Sequence, residues 1–329
     1  MNVPVIILYN LPAPADSPWH EADAGVLNEV AAVAAALRAE GLPFREAGVR
    51  RLADIPAALA PDPGAVVFNL VERLDGALTD FNYVPAVCAA LGHPCTGNTS
   101  DCLSLTLDKS LAKRVVADAG LRTPAFAVIR QERQAARVRL PYPLFAKPLA
   151  EGTGKGVTPR SRADTPRQLK AVCRELLQRF AQPVLVEEFL PGREFTTGVL
   201  GNGDEARPLG TLEIVIPDPA HRGIYSFETK EKCEHMVQYP ALARGRLRDR
   251  IEKLALAAYL ALECQDAARV DIRLDPEGRP SFMEINPLPG LHPTHSDLPM
   301  IATAEGLSYR DLIGSIIHSA AARAGCRAA

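Results

Sequence analysis

Asp271, Glu284 and Asn286 are side chains suited to a hard divalent cation, and they fall in one short stretch, RVDIRLDPEGRPSFMEINPLPG, residues 269–290. Asp275-Pro276-Glu277-Gly278 has turn chemistry, with proline second and glycine fourth, so the stretch reads as two strands joined by a tight turn. Side chains alternate faces along a strand. Val270, Ile272 and Leu274 therefore share one face and Arg269, Asp271 and Arg273 the other. On the return strand Met283 and Ile285 form the apolar set, and Glu284 and Asn286 point the opposite way. If both apolar sets face one core, two carboxylates and an amide oxygen converge on the other side, a nest for Mg²⁺. Mg²⁺ keeps several waters and usually takes further ligands from phosphate, so a nucleotide site follows. A hairpin with one wetted face is the plain alternative. Its polar face, however, carries no Lys or Thr, the usual solvent-facing residues of a strand.

Other stretches offer matching chemistry. Glu151-Gly152-Thr153-Gly154-Lys155-Gly156-Val157 follows a strand ending in Lys147-Pro148, and glycines let backbone amides approach phosphate oxygens. No Ser or Thr follows Gly154-Lys155, so this is not a Walker A loop, and Val157-Thr158-Pro159 opens no helix, so it is not a dinucleotide fingerprint. A strand–loop–strand flap fits better. Lys109, Lys147 and Lys230 are candidate phosphate cations; Lys147 sits in the apolar run Leu144-Phe145-Ala146, where an ammonium needs a partner. Val184-Leu185-Val186-Glu187-Glu188-Phe189-Leu190 reads as a strand whose end can offer an amide and a carbonyl to an adenine edge, or as a plain core strand.

The elements that must position these groups read as follows. Residues 4–10 and 64–70 are buried strands, with helices at 26–40 and 83–91, an order that predicts a small doubly wound α/β domain. Residues 96–107 read as a polar connector and 108–120 as a helix. Strands at 125–129, 144–147, 184–189 and 194–200, with a helix at 166–180, make a second unit. A strand at 210–216, a long loop at 217–240, a helix at 247–262, the hairpin and a helix at 309–324 make a third. The expected domains are 1–100, 101–207 and 208–329.

The composition is that of a globular chain: 329 residues, 47% hydrophobic and 23% charged. A formal net charge of −2 gives no basic footprint for nucleic acid or an anionic membrane. No apolar run approaches the roughly 20 residues of a membrane span. MNVPVIILYN lacks a basic n-region and a cleavage site, so a cytoplasmic location is expected. Seven cysteines contain no CxxC pair, and Cys88, Cys95 and Cys102 have no second cluster to complete a zinc site. Cys233 reads as a solvent-facing loop thiol.

In order, Lys-Pro with a glycine loop, VLVEEFLPGREFT, ARVDIRL and FMEINPLPG resemble the ATP-grasp superfamily and, within it, the D-alanine–D-alanine ligases. The resemblance runs from about Val66 to Ser308. It implies an α/β, three-domain ATP-grasp enzyme using ATP and two Mg²⁺ ions, with Mn²⁺ as a substitute. Lys109, Lys147 and Lys230 would hold phosphates, Glu187, Glu188 and Leu190 would line the adenine site, and Glu194 would take the ribose. Asp271, Glu284 and Asn286 would bind the metals. Arg269, helped by the Gly290 amide, would stabilise the transferring phosphoryl and the oxyanion, and Ser296 would hold the acceptor's carboxylate. The family's closing serine and tyrosine are replaced by Thr153 and Glu231, and the acid that fixes the first amine is Glu21 or Asp23. Leu291-His292-Pro293-Thr294 is one residue longer than usual. The implied reaction joins a carboxylate to an amine, both of them amino acids in the family's manner, through an acylphosphate; a homodimer is the family expectation. Two other readings stay open: a ligase joining other amino acids or a natural-product acid and amine, and an ATP-binding regulatory protein without turnover.

Overall fold

Val5–Asn10 (β1) is apolar at nearly every position, so both its faces need cover. It lies between Phe44–Val49 (β2) and Val66–Leu70 (β3), parallel to both. Val5 and Ile7 pack on His20–Ala39 (α1) and on a helix at Tyr309–Arg323, through Val33, Leu37, Ile313 and Ile317. Ile6 and Leu8 pack on the other side against Ile55–Leu59 (α2) and Val84–Ala90 (α3). This is the doubly wound arrangement, except that one of its covering helices comes from the far end of the chain. The structure, a computed structural model, describes residues 4–13, 20–77, 79–152, 154–221 and 223–325, apart from the side chains of residues 20–24 and 231. Thr153 and the side chains of Glu21, Asp23 and Glu231 therefore lie outside the described residues.

Residues 96–107 are not a simple connector. Ser100–Leu107 (α4) is a helix whose N-cap, Thr99, accepts a hydrogen bond from the Cys102 amide at 3.2 Å. Its Ser and Thr content masks a stripe, Cys102 and Leu103, that is buried. Lys109–Asp118 (α5) follows at once. Asp108 caps it, its carboxylate accepting from the amides of Ser110 (2.9 Å) and Leu111 (3.1 Å). That negative charge at the helix start offsets the dipole's disfavour for Lys109.

Phe126–Ile129 (β4) leads through the single turn Glu132–Ala135 (α6) to Leu144–Pro148 (β5) and Arg162–Ala163 (β6). Pro166–Phe180 (α7) returns the chain to Val184–Glu188 (β7). These strands form an antiparallel sheet, β4-β7-β5-β6, and the glycine loop joins β5 to β6 as a flap. Glu194–Leu200 (β8) and Arg207–Ile214 (β9) begin a further sheet. The 217–240 segment carries short helices, Phe227–Glu231 (α8) and Cys233–Met236 (α9), so Cys233 is half-buried on a helix rather than a loop thiol. Arg246–Ala261 (α10) precedes Ala267–Leu274 (β10) and Pro280–Asn286 (β11); Asp297–Ala304 (α11) and Tyr309–Arg323 (α12) end the fold. The sheet order is β11-β10-β8-β9. The expected boundary at 207/208 thus separates β8 from strands to which it is hydrogen-bonded; the chain changes sheets between β7 and β8 instead. α4 and α5 also pack on this sheet, through Cys102, Ala112 and Val116, together with α10.

The hairpin departs from simple alternation at one point. Asp271 pairs with Glu284, but Ile272 pairs with Phe282, so Met283 is the extra residue of a bulge. Phe282 and Ile285 are therefore the buried apolar pair of β11, and Met283, expected in the core, turns to a cleft. The bulge re-aims one side chain and leaves Asp271 and Glu284 directly opposed.

Removing the Asp108 cap should loosen the helix that carries Lys109. Asp108→Ala should cost about 1 kcal/mol in urea unfolding and Asp108→Asn only a few tenths, since asparagine also accepts at an N-cap.

Candidate active site

An open cleft of about 750 Å³ lies between the two antiparallel sheets. The ends of β5 and β7 supply Lys147, Glu187, Glu188 and Leu190; β8, β10 and β11 supply Glu194, Asp271 and Glu284. Lys109 enters from α5, and Lys230, with Tyr225, from the 217–240 segment. Every residue named from sequence for ATP thus borders one space, with two of the three named for metal.

A chain of charges runs along the floor. Glu187, with no exposed surface, is held between Lys113 Nζ (2.9 Å) and Lys147 Nζ (3.2 Å). Lys147 Nζ also donates to Glu284 Oε2 at 3.2 Å, and Lys109 Nζ lies 3.9 Å from the same oxygen. Burial works against the Glu284 carboxylate, but Lys147, Lys109 and Lys230 outweigh it and hold the group well below the usual carboxylate range. Lys109 moves the other way: burial lowers it, Glu284 restores part of the loss, and Lys147 and Lys230 lower it further. Lys109, Lys113, Lys147 and Lys230 crowd around Glu187 and Glu284, so positive charge is locally in excess at that end of the cleft, although the lining as a whole carries carboxylates as well. An anion in the cleft would relieve it. Lys113 was not legible as a site residue; its only signal was a position one helical turn after Lys109.

The metal-type residues have partners of their own. Asp271 accepts from Arg269 through both carboxylate oxygens (3.1 and 3.2 Å) and from Thr196 Oγ1 (2.9 Å). Arg269 is held further by Asp297 at 2.8 Å. Burial disfavours the Arg269 charge, yet Asp271 and Asp297 hold it above its ordinary range. Asn286 pairs with Arg269 across the hairpin, outside the cleft lining, and its Oδ1 accepts from the Leu288 amide at 3.2 Å. Among the described residues no three His, Cys, Asp or Glu side chains gather as a metal cluster. The donor set still fits Mg²⁺: two opposed carboxylates and an amide oxygen on one face of the hairpin, beside lysines that would hold the phosphate oxygens needed to complete the shell. Glu194 pairs with Arg273 at 3.0 Å, and burial pushes its carboxyl up.

Two covering segments meet over the cleft. Gly154, at φ +70°, lies so close to the 217–240 segment that a Cβ there would sit 3.1 Å from the Phe227 amide nitrogen. The Lys230 ammonium stands 4.5 Å from the centre of the Tyr225 ring, and the Tyr225 and Tyr239 hydroxyls are 2.6 Å apart.

Gly290 and Ser296 lie apart from this cleft, in a second group. A Cβ at Gly290 would be 2.7 Å from Ser296 Oγ and 3.4 Å from Glu29 Oε1. Ser296 Oγ accepts from the His292 amide at 3.0 Å, and Glu29 Oε1 from the Leu291 amide at 2.8 Å. Glu29 and Glu72 border a smaller cavity, of about 410 Å³, between the first sheet and residues 287–291. Glu29 was missed in sequence because it reads as one more polar position of an Ala-rich helix. Burial first, then Glu72, push its carboxyl up to about 8.

The comparisons follow the same outline. Residues 115–318 match the family model described as D-ala D-ala ligase C-terminus. The D-alanine–D-alanine ligase of Bordetella avium is 36% identical over 254 residues, 76% of this chain and 77% of that protein. The Bordetella pertussis ligase is 36% identical over 281 residues, 84% of each chain.

The chain belongs to the D-alanine–D-alanine ligase family. It is an ATP-dependent ligase of that type. The crystal structure of the Bacillus anthracis D-alanine–D-alanine ligase complexed with ATP superposes with a TM-score of 0.76, at 19% identity, over 98% of this chain and 99% of that one. The fold is therefore the ATP-grasp ligase fold. An uncharacterized Sinorhizobium fredii protein, y4sG, is 33% identical over 269 residues, 79% of this chain and 76% of its own length.

The raised Glu29 carboxyl carries a pH signature. In the unfolded chain it titrates near 4.5, and in the fold near 8. Between those values the native state binds more protons, so stability falls as pH rises through the window and is level above it. Glu29→Gln should flatten that fall and make the protein relatively more stable at pH 8 than at pH 5, read as the difference in Tm from the parent at each pH.

Proposed function

We propose that the chain condenses two amino acids, joining the carboxylate of one to the amine of the other as ATP is cleaved to ADP and phosphate. The observation that carries this is the cluster of Lys109, Lys147 and Lys230 beside opposed Asp271 and Glu284, which together suit a metal-bound triphosphate. A carboxylate oxygen of the donor attacks the γ-phosphorus, and the bond from phosphorus to the ADP oxygen breaks. The amine nitrogen of the acceptor then attacks the acyl carbon, the carbon–oxygen bond to phosphate breaks, and the nitrogen loses a proton as the amide forms. Lys109, Lys147 and Lys230 hold the phosphates. Glu188 and the backbone at Leu190 serve the adenine edge, while the Glu187 carboxylate, wholly buried, serves Lys147 instead. Glu194, fixed by Arg273, receives the ribose. Asp271, Glu284 and Asn286 hold Mg²⁺, which when bound spreads the charge of the phosphates.

Arg269, braced by Asp271 and Asp297, is aimed at charge that develops on the transferring phosphoryl and on the tetrahedral oxyanion. The Gly290 amide assists it, and Ser296 takes the acceptor's carboxylate. Glu29, whose carboxylate lies beside Gly290, joins Glu21 and Asp23 as a candidate to receive the donor's amine. Thr153 belongs to the flap that, with the 217–240 segment, excludes water from the acylphosphate. Among the described residues no helix is long and apolar enough to cross a membrane. A homodimer working in the cytoplasm on small molecules, without nucleic acid or membrane, completes the reading.

The names of the relatives favour D-alanine on both sides. A second reading, with one larger or more basic amino acid, is favoured by the cavity bordered by Glu29 and Glu72. Screening D- and L-amino acids singly and in pairs, by phosphate release and product mass, distinguishes them. D-alanyl-D-alanine as the preferred product supports the first, and a mixed dipeptide the second. No phosphate release with any amino acid pair, despite ATP binding, would sink both and leave a regulatory ATP binder. Glu284→Gln, which removes a metal carboxylate, should lower kcat about 100-fold or more in the same assay.

A further inference from the structure

Lys113 belongs to the charge chain but does not border the cleft. It is fully buried on α5, and its ammonium meets groups from three segments. Glu187 Oε2 on β7 lies at 2.9 Å, Thr123 Oγ1 beyond α5 at 3.0 Å, and the Phe282 carbonyl on β11 at 3.4 Å. Thr123 Oγ1 donates to the same carbonyl at 2.9 Å, and the Phe282 amide donates to the Arg122 carbonyl at 2.8 Å. Phe282 begins the bulge that turns Met283 outward and sets Glu284 against Asp271. One ammonium therefore ties the nucleotide strand of one sheet to the bulge of the other.

We infer that Lys113 is a positioning residue of the nucleotide site: it neutralises Glu187 and pins the bulge, so that Lys147 and Glu284 keep their places. This rests on the ATP-ligase reading. Lys147 is shared between Glu187 and Glu284, at 3.2 Å from each. With Lys113 gone, Glu187 keeps Lys147 as its one ion-pair partner among the described residues, with Lys109 acting only from further off. An ammonium drawn deeper toward Glu187 leaves both Glu284 and the phosphates. The Phe282 carbonyl also loses one of its two side-chain donors and keeps Thr123 alone, which loosens the bulge. Lys147 holds phosphate before and during transfer, so its displacement weakens nucleotide binding more than the chemical step.

The test compares the parent with K113M, K113R and the double variant K113M/E187Q, all well below their melting temperatures. Calorimetric binding of Mg²⁺–ATP and steady-state KM and kcat are read together. K113M should bind Mg²⁺–ATP about 10- to 100-fold more weakly, as loss of an outer partner of a metal site does, with KM rising in parallel and kcat changing less. The double variant, which removes both charges, should bind more tightly than K113M alone, because no unpaired carboxylate remains to pull on Lys147. Folded K113M with the parent's affinity, or a double variant no better than the single, overturns the inference. If K113M does not fold, K113R decides: its planar fork cannot copy three convergent ammonium contacts, so parental affinity there also overturns it. A parent that binds no Mg²⁺–ATP overturns the ATP reading and this inference with it. Parental binding with unaltered variants overturns this inference alone.

Discussion

The ion pairs of Glu187 are the constraint from which the site is built. A carboxylate without solvent contact loses several kcal/mol of hydration, and close cations must offset most of that loss. Lys113 and Lys147 do so from different elements, one on a helix and one on a strand. α5 must then dock against both sheets, because its lysine has no other way to reach Glu187. Docking α5 carries Lys109 to the cleft mouth as a consequence. The capping Asp108 makes that helix start where it does, and so sets which lysine faces inward and which faces the cleft.

The same arrangement gathers cations at one end of the cleft, where an anionic ligand is favoured. Burial works against the Lys109 charge more than the nearby glutamates restore it. Asp271 and Glu284, opposed across the hairpin, add negative charge beside the lysines, each already sharing its oxygens with a cation. A metal-bound triphosphate would suit both sets at once, the lysines through phosphate oxygens and the carboxylates through the metal. Cover comes from two segments that touch at Gly154, where a positive φ strains any side chain and the nearby Phe227 amide would crowd it.

Much of this could be read along the chain. Alternation placed Asp271 and Glu284 on one face, the run of apolar residues in β1 implied cover on both sides, and the glycine loop after Lys147 implied a flap. Period-two reasoning fails at a bulge, so it misassigned Met283 and Phe282. Composition misled at α4, where Ser and Thr looked like linker residues although one of them is the cap and two neighbours are buried. Glu29 and Lys113 looked like ordinary charged helix positions. Nothing local marks a charge that will be buried, since burial is decided by what packs on it.

By itself the sequence determined the residue chemistry: which side chains can ligate a hard cation, which can hold phosphate, and the order of motifs that the family shares. Local rules sufficed there because strand parity, caps and turns depend on neighbours a few residues away. Only the tertiary structure decided that α12 covers the first sheet, that β8 joins β10 across nearly seventy residues of chain, and that Lys113 and Glu29 sit inside. These depend on contacts between distant segments, whose pairing is chosen by the fit of whole surfaces and by the need to neutralise buried charge.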